Sequence, residues 1–254
     1  MAERERSLRT EGVVLRHSDW GEADRLVILF TREQGKLRAV VKGARKLHSR
    51  KAGHMEPFTR VSLMLARGRD FWIVTQAETV DAYLPLREDL VRTASAAYVV
   101  ELLDRFTYEE GQNLGLYQLL VESLHRLSSV DAPQTVLRFY DLRLLDLLGF
   151  RPELYECVRC RQPIQDEDQF FSPQQGGALC PRCGRLEPGL WPLSRRALKM
   201  LRFYQRSTYA QVRSAAFSAA SHAEMEGVMQ AYFTYLLERT LNTPGFLRTV
   251  RRGA

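Results

Sequence analysis

Two apolar runs, Arg25-Leu26-Val27-Ile28-Leu29-Phe30-Thr31 and Lys36-Leu37-Arg38-Ala39-Val40-Val41-Lys42, flank the short break Arg32-Glu33-Gln34-Gly35. Both runs are rich in β-branched residues and too short for helices, and the break carries turn chemistry, so they predict two strands. Similar runs at residues 11–17, 58–65 and 71–80 add three more, with breaks at Ser18-Asp19-Trp20-Gly21 and Arg67-Gly68-Arg69-Asp70. Five strands at this spacing suit a small closed barrel. An OB-fold and an SH3-like barrel both fit the pattern.

From Pro85 onward the period changes. Residues 90–108, 114–127, 135–148, 193–206 and 223–241 place apolar side chains three and four apart, as amphipathic helices do, and a shorter helix fits 209–216. Pro133 stands where a missing N–H does least harm, and Gly149 is a natural helix stop. Residues 150–190 read as irregular. The predicted class is therefore α+β, with a β domain over residues 1–82 and a helical domain over 83–254 that carries an insert at about 150–190.

The 254 residues suit one or two domains, and 45% apolar with 26% charged residues argues against a largely disordered chain. No apolar run approaches the roughly 18 residues of a membrane span, and residues 1–7 lack the apolar core of a secretory leader. A soluble, cytoplasmic protein without a membrane partner is expected. The net charge of +7 is unevenly spread. Residues 1–80 carry 16 basic and 10 acidic side chains, residues 81–156 carry 7 and 13, and residues 157–254 carry 14 and 7. Two cationic regions thus flank an acidic middle.

All four cysteines fall in one pattern, Cys157-Val158-Arg159-Cys160 and Cys180-Pro181-Arg182-Cys183. Two intervening residues let a tight turn aim both sulfurs at one point, and two such turns make a tetrahedron around Zn²⁺. Two disulfides or an iron–sulfur cluster are the rival readings, the first disfavoured in a cytosolic compartment. Four protein ligands leave no open position, so one structural Zn²⁺ per chain is expected. His222-Ala223-Glu224 matches the H-x-E of zinc deaminases, but both cysteine pairs lie upstream of it, and the first turn of a helix is the favoured reading.

Between Lys36 and Arg69 ten basic residues face one acid, Glu56. Lys36, Arg38 and Lys42 share one strand face, and Arg45, Lys46, Arg50 and Lys51 sit in the loop that follows, a suitable track for a phosphate backbone. A solvated surface, an acidic membrane or an acidic protein would also accommodate such a run. A second basic group, Arg195, Arg196, Lys199, Arg202 and Arg206, falls on one predicted helix, with positions 195, 199, 202 and 206 in one stripe, and reads either as a further nucleic-acid surface or as a solvated face. Trp20, Phe58, Phe71 and Trp72 are available for stacking on bases, though no single one is nominated. No phosphate-binding glycine loop, nucleophile elbow or H-E-x-x-H is present, so nothing nominates an enzyme.

Several segments together resemble the bacterial recombination mediator family RecO. They are Gly21-Glu22-Ala23-Asp24-Arg25, Thr31-Arg32-Glu33-Gln34-Gly35-Lys36, Val41-Lys42-Gly43-Ala44-Arg45 and Glu56-Pro57-Phe58. Leu147-Leu148-Gly149-Phe150-Arg151-Pro152-Glu153-Leu154, Phe171-Ser172 and Gly176-Gly177 continue the series around the cysteines. The likeness runs in order from about residue 8 to 240. It implies an N-terminal OB-fold β-barrel, then an α-helical domain with a four-cysteine zinc module. It further implies a non-catalytic protein that binds single- and double-stranded DNA, anneals complementary strands, and works with RecR in loading RecA onto strands coated by single-strand-binding protein. An RNA-binding OB protein stapled by zinc and a protein–protein adaptor are the alternatives from other classes.

Overall fold

A computed structural model describes residues 7–109, 111–129 and 132–253; residues 1–6, read above as no leader, lie outside the described residues. The chain divides into two compact units, Met1–Val130 with Phe246–Ala254, and Asp131–Gly245. Strands give way to helices between a strand that ends at Asp81 and the helix that begins at Pro85. No helix among the described residues is long and apolar enough to cross a membrane.

The first unit opens with β1 (Ser7–Trp20), β2 (Asp24–Thr31), β3 (Gly35–Val41), a 3-10 turn (Ala52–Met55), β4 (Arg60–Arg67) and β5 (Trp72–Asp81). They close a barrel in the order β1-β2-β3-β5-β4, and β1 pairs with β4 to complete the ring. All pairings are antiparallel except a short parallel seam, Ala39↔Trp72 and Val40↔Ile73. This closed five-stranded barrel is OB-like, and residues 25–42 supply two adjacent strands as the sequence predicts. β1 serves two neighbours by bending: its register with β2 shifts between Val14 and Arg16, a bulge that turns the strand around the barrel corner.

Alternation fills the interior. Val27 and Leu29 from β2, Leu37, Ala39 and Val41 from β3, and Val61, Leu63 and Leu65 from β4 enter one buried cluster, and Met55 of the 3-10 turn joins them. Full burial of each such side chain stabilises by roughly 1.5–3 kcal/mol.

The helices α1 (Pro85–Glu88), α2 (Leu90–Phe106) and α3 (Leu114–Ser129) follow in the same unit. Asp89 caps α2 by accepting from Arg92 N–H, and Asn113 does the same for α3 from Leu116 N–H. Polar contacts fasten the barrel to these helices. Arg16 Nε lies 2.9 Å from Asp104 Oδ2, Lys36 Nζ lies 2.6 Å from Asp104 Oδ1, and Tyr117 donates to Glu11, which also pairs with Arg60. Gly35 has φ +64, and a Cβ there would run into the carbonyl oxygen of Gly111, so the β2–β3 turn needs glycine for both conformation and space.

The second unit begins with α4 (Pro133–Leu147), which has Pro133 in its first turn. It ends in a Schellman motif: Gly149 N–H donates to Asp146 O, and Phe150 N–H to Leu145 O. The stretch 150–190 is more ordered than expected. It holds β6 (Gln169–Ser172), β7 (Gly177–Leu179) and α5 (Pro181–Gly184), and with β8 (Trp191–Leu193) forms a sheet of order β7-β6-β8. Strands of three and four residues are too short to show alternation, which is why the sequence hid them.

Helices α6 (Arg195–Arg206), α7 (Tyr209–Ser214) and α8 (Ala219–Leu237) complete this unit. Each begins on a side-chain cap, Ser194, Thr208 and Ser218. His222 lies in the first turn of α8, while Glu224 accepts from the N–H and hydroxyl of Ser194. The expected run to residue 241 stops at Glu238 in a left-handed conformation. A further helix, α9 (Thr243–Gly253), was not foreseen.

Candidate metal centre and nucleic-acid interface

The cysteine pairs are built as two knuckles. In the first, Arg161 N–H donates to Cys157 O, and in the second, Cys183 and Gly184 N–H both donate to Cys180 O. Val158 N–H to Ala178 O and Ala178 N–H to Glu153 O lace the first knuckle to β7. Gly184 lies against Phe170, where a Cβ would enter the ring. The four Sγ atoms lie within 4.8 Å of one another, and none is in a disulfide. Cys160 Sγ and Cys180 Sγ are 3.8 Å apart, and tetrahedral sites with metal–sulfur bonds of about 2.3 Å place their sulfurs about 3.8 Å apart.

The electrostatics favour thiolates on the first knuckle. A hydrogen bond from Gln162 N–H leads the causes that bring Cys160 down to about 6. Burial works against Cys157, but N–H donors that include Cys180 outweigh it and lower that thiol also. Cys183 is driven the other way, to about 12, by burial and by its three sulfur neighbours. A divalent cation among the sulfurs relieves that repulsion, so the donor set fits a structural metal.

The cations predicted from the sequence are treated unequally. Lys36 has a side chain only 14% exposed, and besides Asp104 Oδ1 it reaches the carbonyls of Asp104 and Thr107. It is a tether. Lys51 donates to Val74 O. Lys42 pairs with Asp24 at 2.8 Å and Arg38 with Glu109 at 2.6 Å, both on the surface. Arg45 donates to the carbonyls of Gly21 and Glu22 and lies 3.3 Å from Asp19, which ties its loop to the β1–β2 turn. Lys46 and Arg50 are exposed, with no hydrogen bond or ion pair to their side chains among the described residues.

At the same end of the barrel, the β1–β2 loop (21–23) meets the β4–β5 loop (68–71). Trp20 and Phe71 pack edge to face, with ring centroids 5.4 Å apart. Arg38 lies over Phe71 at 5.1 Å, and Arg67 over Trp72 at 5.0 Å. Arg38, Arg67, Arg69, Phe71 and Trp72 line a cleft of about 50 Å³ together with the acids Asp70 and Glu109. Trp20 remains 44% exposed. In OB-type barrels the face of strands 2–3 and these two loops are where oligonucleotides bind. Sequence reasoning named the aromatics but not Trp20 in particular, and it missed Arg67 and Arg69; the turn that brings the two loops together has no local signal.

The stripe on α6 is largely occupied by its own unit. Arg195 and Lys199 both pair with Asp166, at 3.4 and 2.9 Å. Arg202 donates to the carbonyls of Leu154 and Ile164 and stacks on Tyr155, so it clamps the cysteine module to the helix. Arg196 and Arg206 are exposed, without such partners among the described residues. On the knuckles, Arg159 pairs with Glu187 at 3.0 Å and Arg182 lies against the Cys160 sulfur.

Comparison with known proteins follows this geometry closely. A family model described as recombination protein O N terminal matches residues 5–83, and one described as recombination protein O C terminal matches residues 87–244. A protein of Roseiflexus sp. (strain RS-1) named DNA repair protein RecO is 44% identical over 98% of this chain and 88% of its own length. Proteins of the same name from Symbiobacterium thermophilum and Bacillus pumilus are 36% and 33% identical. They cover 95% and 89% of this chain, and 96% and 88% of their own lengths.

Proposed function

The chain belongs to the RecO family of DNA repair proteins, and from that premise we propose that it acts as a recombination mediator. In this reading it binds single- and double-stranded DNA and anneals complementary strands. With RecR, it promotes loading of RecA onto single strands coated by single-strand-binding protein, at the nucleoid in the bacterial cytoplasm. The work is non-catalytic. The two family matches meet between residues 83 and 87, which supports a nucleic-acid-binding domain over 1–82 and a helical domain over 83–254.

The observation that carries the reading is the barrel mouth, where the exposed Trp20 packs on Phe71, Arg38 lies over Phe71 and lines a cleft with Arg67 and Arg69, and Arg45 binds the β1–β2 turn. A strand laid across it would stack a base on the indole while guanidinium groups take the phosphates. Backbone neutralisation lowers the repulsion between two strands and leaves their base edges free to pair. Bond chemistry is not needed. Zn²⁺ held by Cys157, Cys160, Cys180 and Cys183 would supply folding energy to the module.

The test is competition between single-stranded DNA and RNA oligonucleotides, followed by a strand-annealing assay. Preference for DNA with accelerated annealing is expected, and Trp20→Ala with Lys46→Glu and Arg69→Glu should weaken both. A preference for RNA would replace the reading with RNA binding, and no nucleic-acid binding at all would leave a protein adaptor.

A further inference from the structure

The two knuckles share a feature that the metal does not require. Each carries arginine immediately before its second cysteine and again just after it: Arg159 and Arg161 around Cys160, Arg182 and Arg185 around Cys183. Resting on the DNA-binding reading above, we propose that this arginine rim is a second phosphate-backbone site, on the metal module and separate from the barrel mouth.

Two of the module's acids are taken up by α6: Asp166 pairs with Arg195 and Lys199, and Asp168 accepts from Arg195 N–H. The four arginines gather at the cysteine turns, and all are exposed. Their backbones lie within two residues of sulfurs that are all within 4.8 Å of one another, so long side chains radiate from one small centre. Extended strands of nucleic acid present phosphates to such a rim over several nucleotides.

A charge-balancing role for the arginines is the competing explanation. A divalent cation on four thiolates leaves a formal charge of −2, and Arg182 against Cys160 offsets part of it. Arg159 answers Glu187, and Glu156 adds one more exposed acid beside the first knuckle. Among the described residues Arg161 and Arg185 have neither an ion pair nor a side-chain hydrogen bond, and both are exposed. They are the two residues whose removal separates the explanations. The same fold that consumes the α6 stripe leaves these two guanidinium groups open.

The full-length, metal-loaded protein is compared with its Arg161→Glu/Arg185→Glu form. Binding of a labelled oligo-dT strand is measured over a salt series, alongside metal content by mass spectrometry. If each arginine meets one phosphate, the slope of log Kobs against log salt should fall by about 0.7 per contact on a single strand. Two contacts correspond to a loss of roughly tenfold or more near 0.1 M salt, with metal content unchanged. An unchanged slope, with or without loss of metal, overturns the proposal and leaves the parent's DNA binding intact. Should the double variant lose both metal and binding, Arg161→Gln/Arg185→Gln decides: a reduced slope with metal retained supports the rim, and an unchanged slope rejects it. A parent that shows no salt-dependent binding refutes the functional reading itself, and the rim with it.

Discussion

The barrel and the cysteine module solve the same problem by different means. In the barrel, strands of seven to fourteen residues send alternate side chains into one apolar cluster, and water is excluded by the chain itself. In the module, β6 and β7 have four and three residues, and the interior is a handful of side chains around Leu154, Phe171 and Leu179 with the sulfurs of Cys157 and Cys183 among them. The first is held by burial, and the second adds four sulfurs within 4.8 Å of one another, a donor set that fits a structural metal. Cations follow the same division. The barrel uses Lys36 and Arg16 as tethers and keeps others at its mouth, whereas the module uses Lys199 and Arg202 as clamps and keeps its free arginines at the turns.

Metal removal breaks the symmetry most sharply. Structural zinc contributes about 10 kcal/mol or more to the folding of small zinc modules. Chelation should therefore abolish hydrogen-exchange protection over residues 150–190 while the strands β1–β5 keep theirs. Simultaneous loss in both regions would mean that the module's metal also supports the barrel.

Next in size is the tether. Lys36→Met removes the partner that Asp104 meets at 2.6 Å and leaves a largely buried carboxylate with Arg16 alone, at a cost of about 3 kcal/mol. Thermal melting of the variant should shift by several degrees without change in metal content. Gly35→Ala comes third, at about 2 kcal/mol, because it combines a left-handed backbone with a clash against Gly111. Denaturant unfolding checks it, and an unchanged midpoint would show that the β2–β3 turn relaxes freely.

The smallest effect is a pH dependence of the barrel unit. Burial opposes the Asp104 carboxylate, but Lys36 and Arg16 outweigh it and hold the group below the usual carboxylate range; Glu11 is lowered in the same sense by Arg60 and Tyr117. A carboxylate with a lowered folded-state value contributes stability above its unfolded value, and that stability is lost as pH falls through the folded one. Melting temperature should therefore drop on acidification below the ordinary carboxylate range, and Asp104→Asn should flatten part of that drop.

These contrasts explain what the sequence could and could not reveal. The apolar runs disclosed five strands because barrel cores demand alternation, and C-x2-C spacing disclosed the four-cysteine cluster because that spacing aims sulfurs at one point. The barrel type depended on two pairings between distant segments, β1 with β4 and β3 with β5, which no local pattern encodes. The basic stretch looked unneutralised because its acids come from elsewhere. Asp24 answers Lys42, Asp104 answers Lys36, and Glu109 answers Arg38, all remote in the chain. On α6 the opposing Asp166 lies more than one element upstream. Sign bias counted along a sequence measures supply; only the fold reveals demand.

Strand order also dictates when the barrel can assemble during synthesis. β1 and β2 each pair with their immediate successor, so the first three strands can zip together as they leave the ribosome. Their outer edges stay open until β4 reaches back to β1, and the ring cannot shut until β5 emerges to form two parallel pairs with β3. For that interval a nascent three-stranded sheet, rich in Val and Leu, offers unpaired edges to any neighbouring chain. Closing the short seam at Ala39 and Val40 is what ends that exposure.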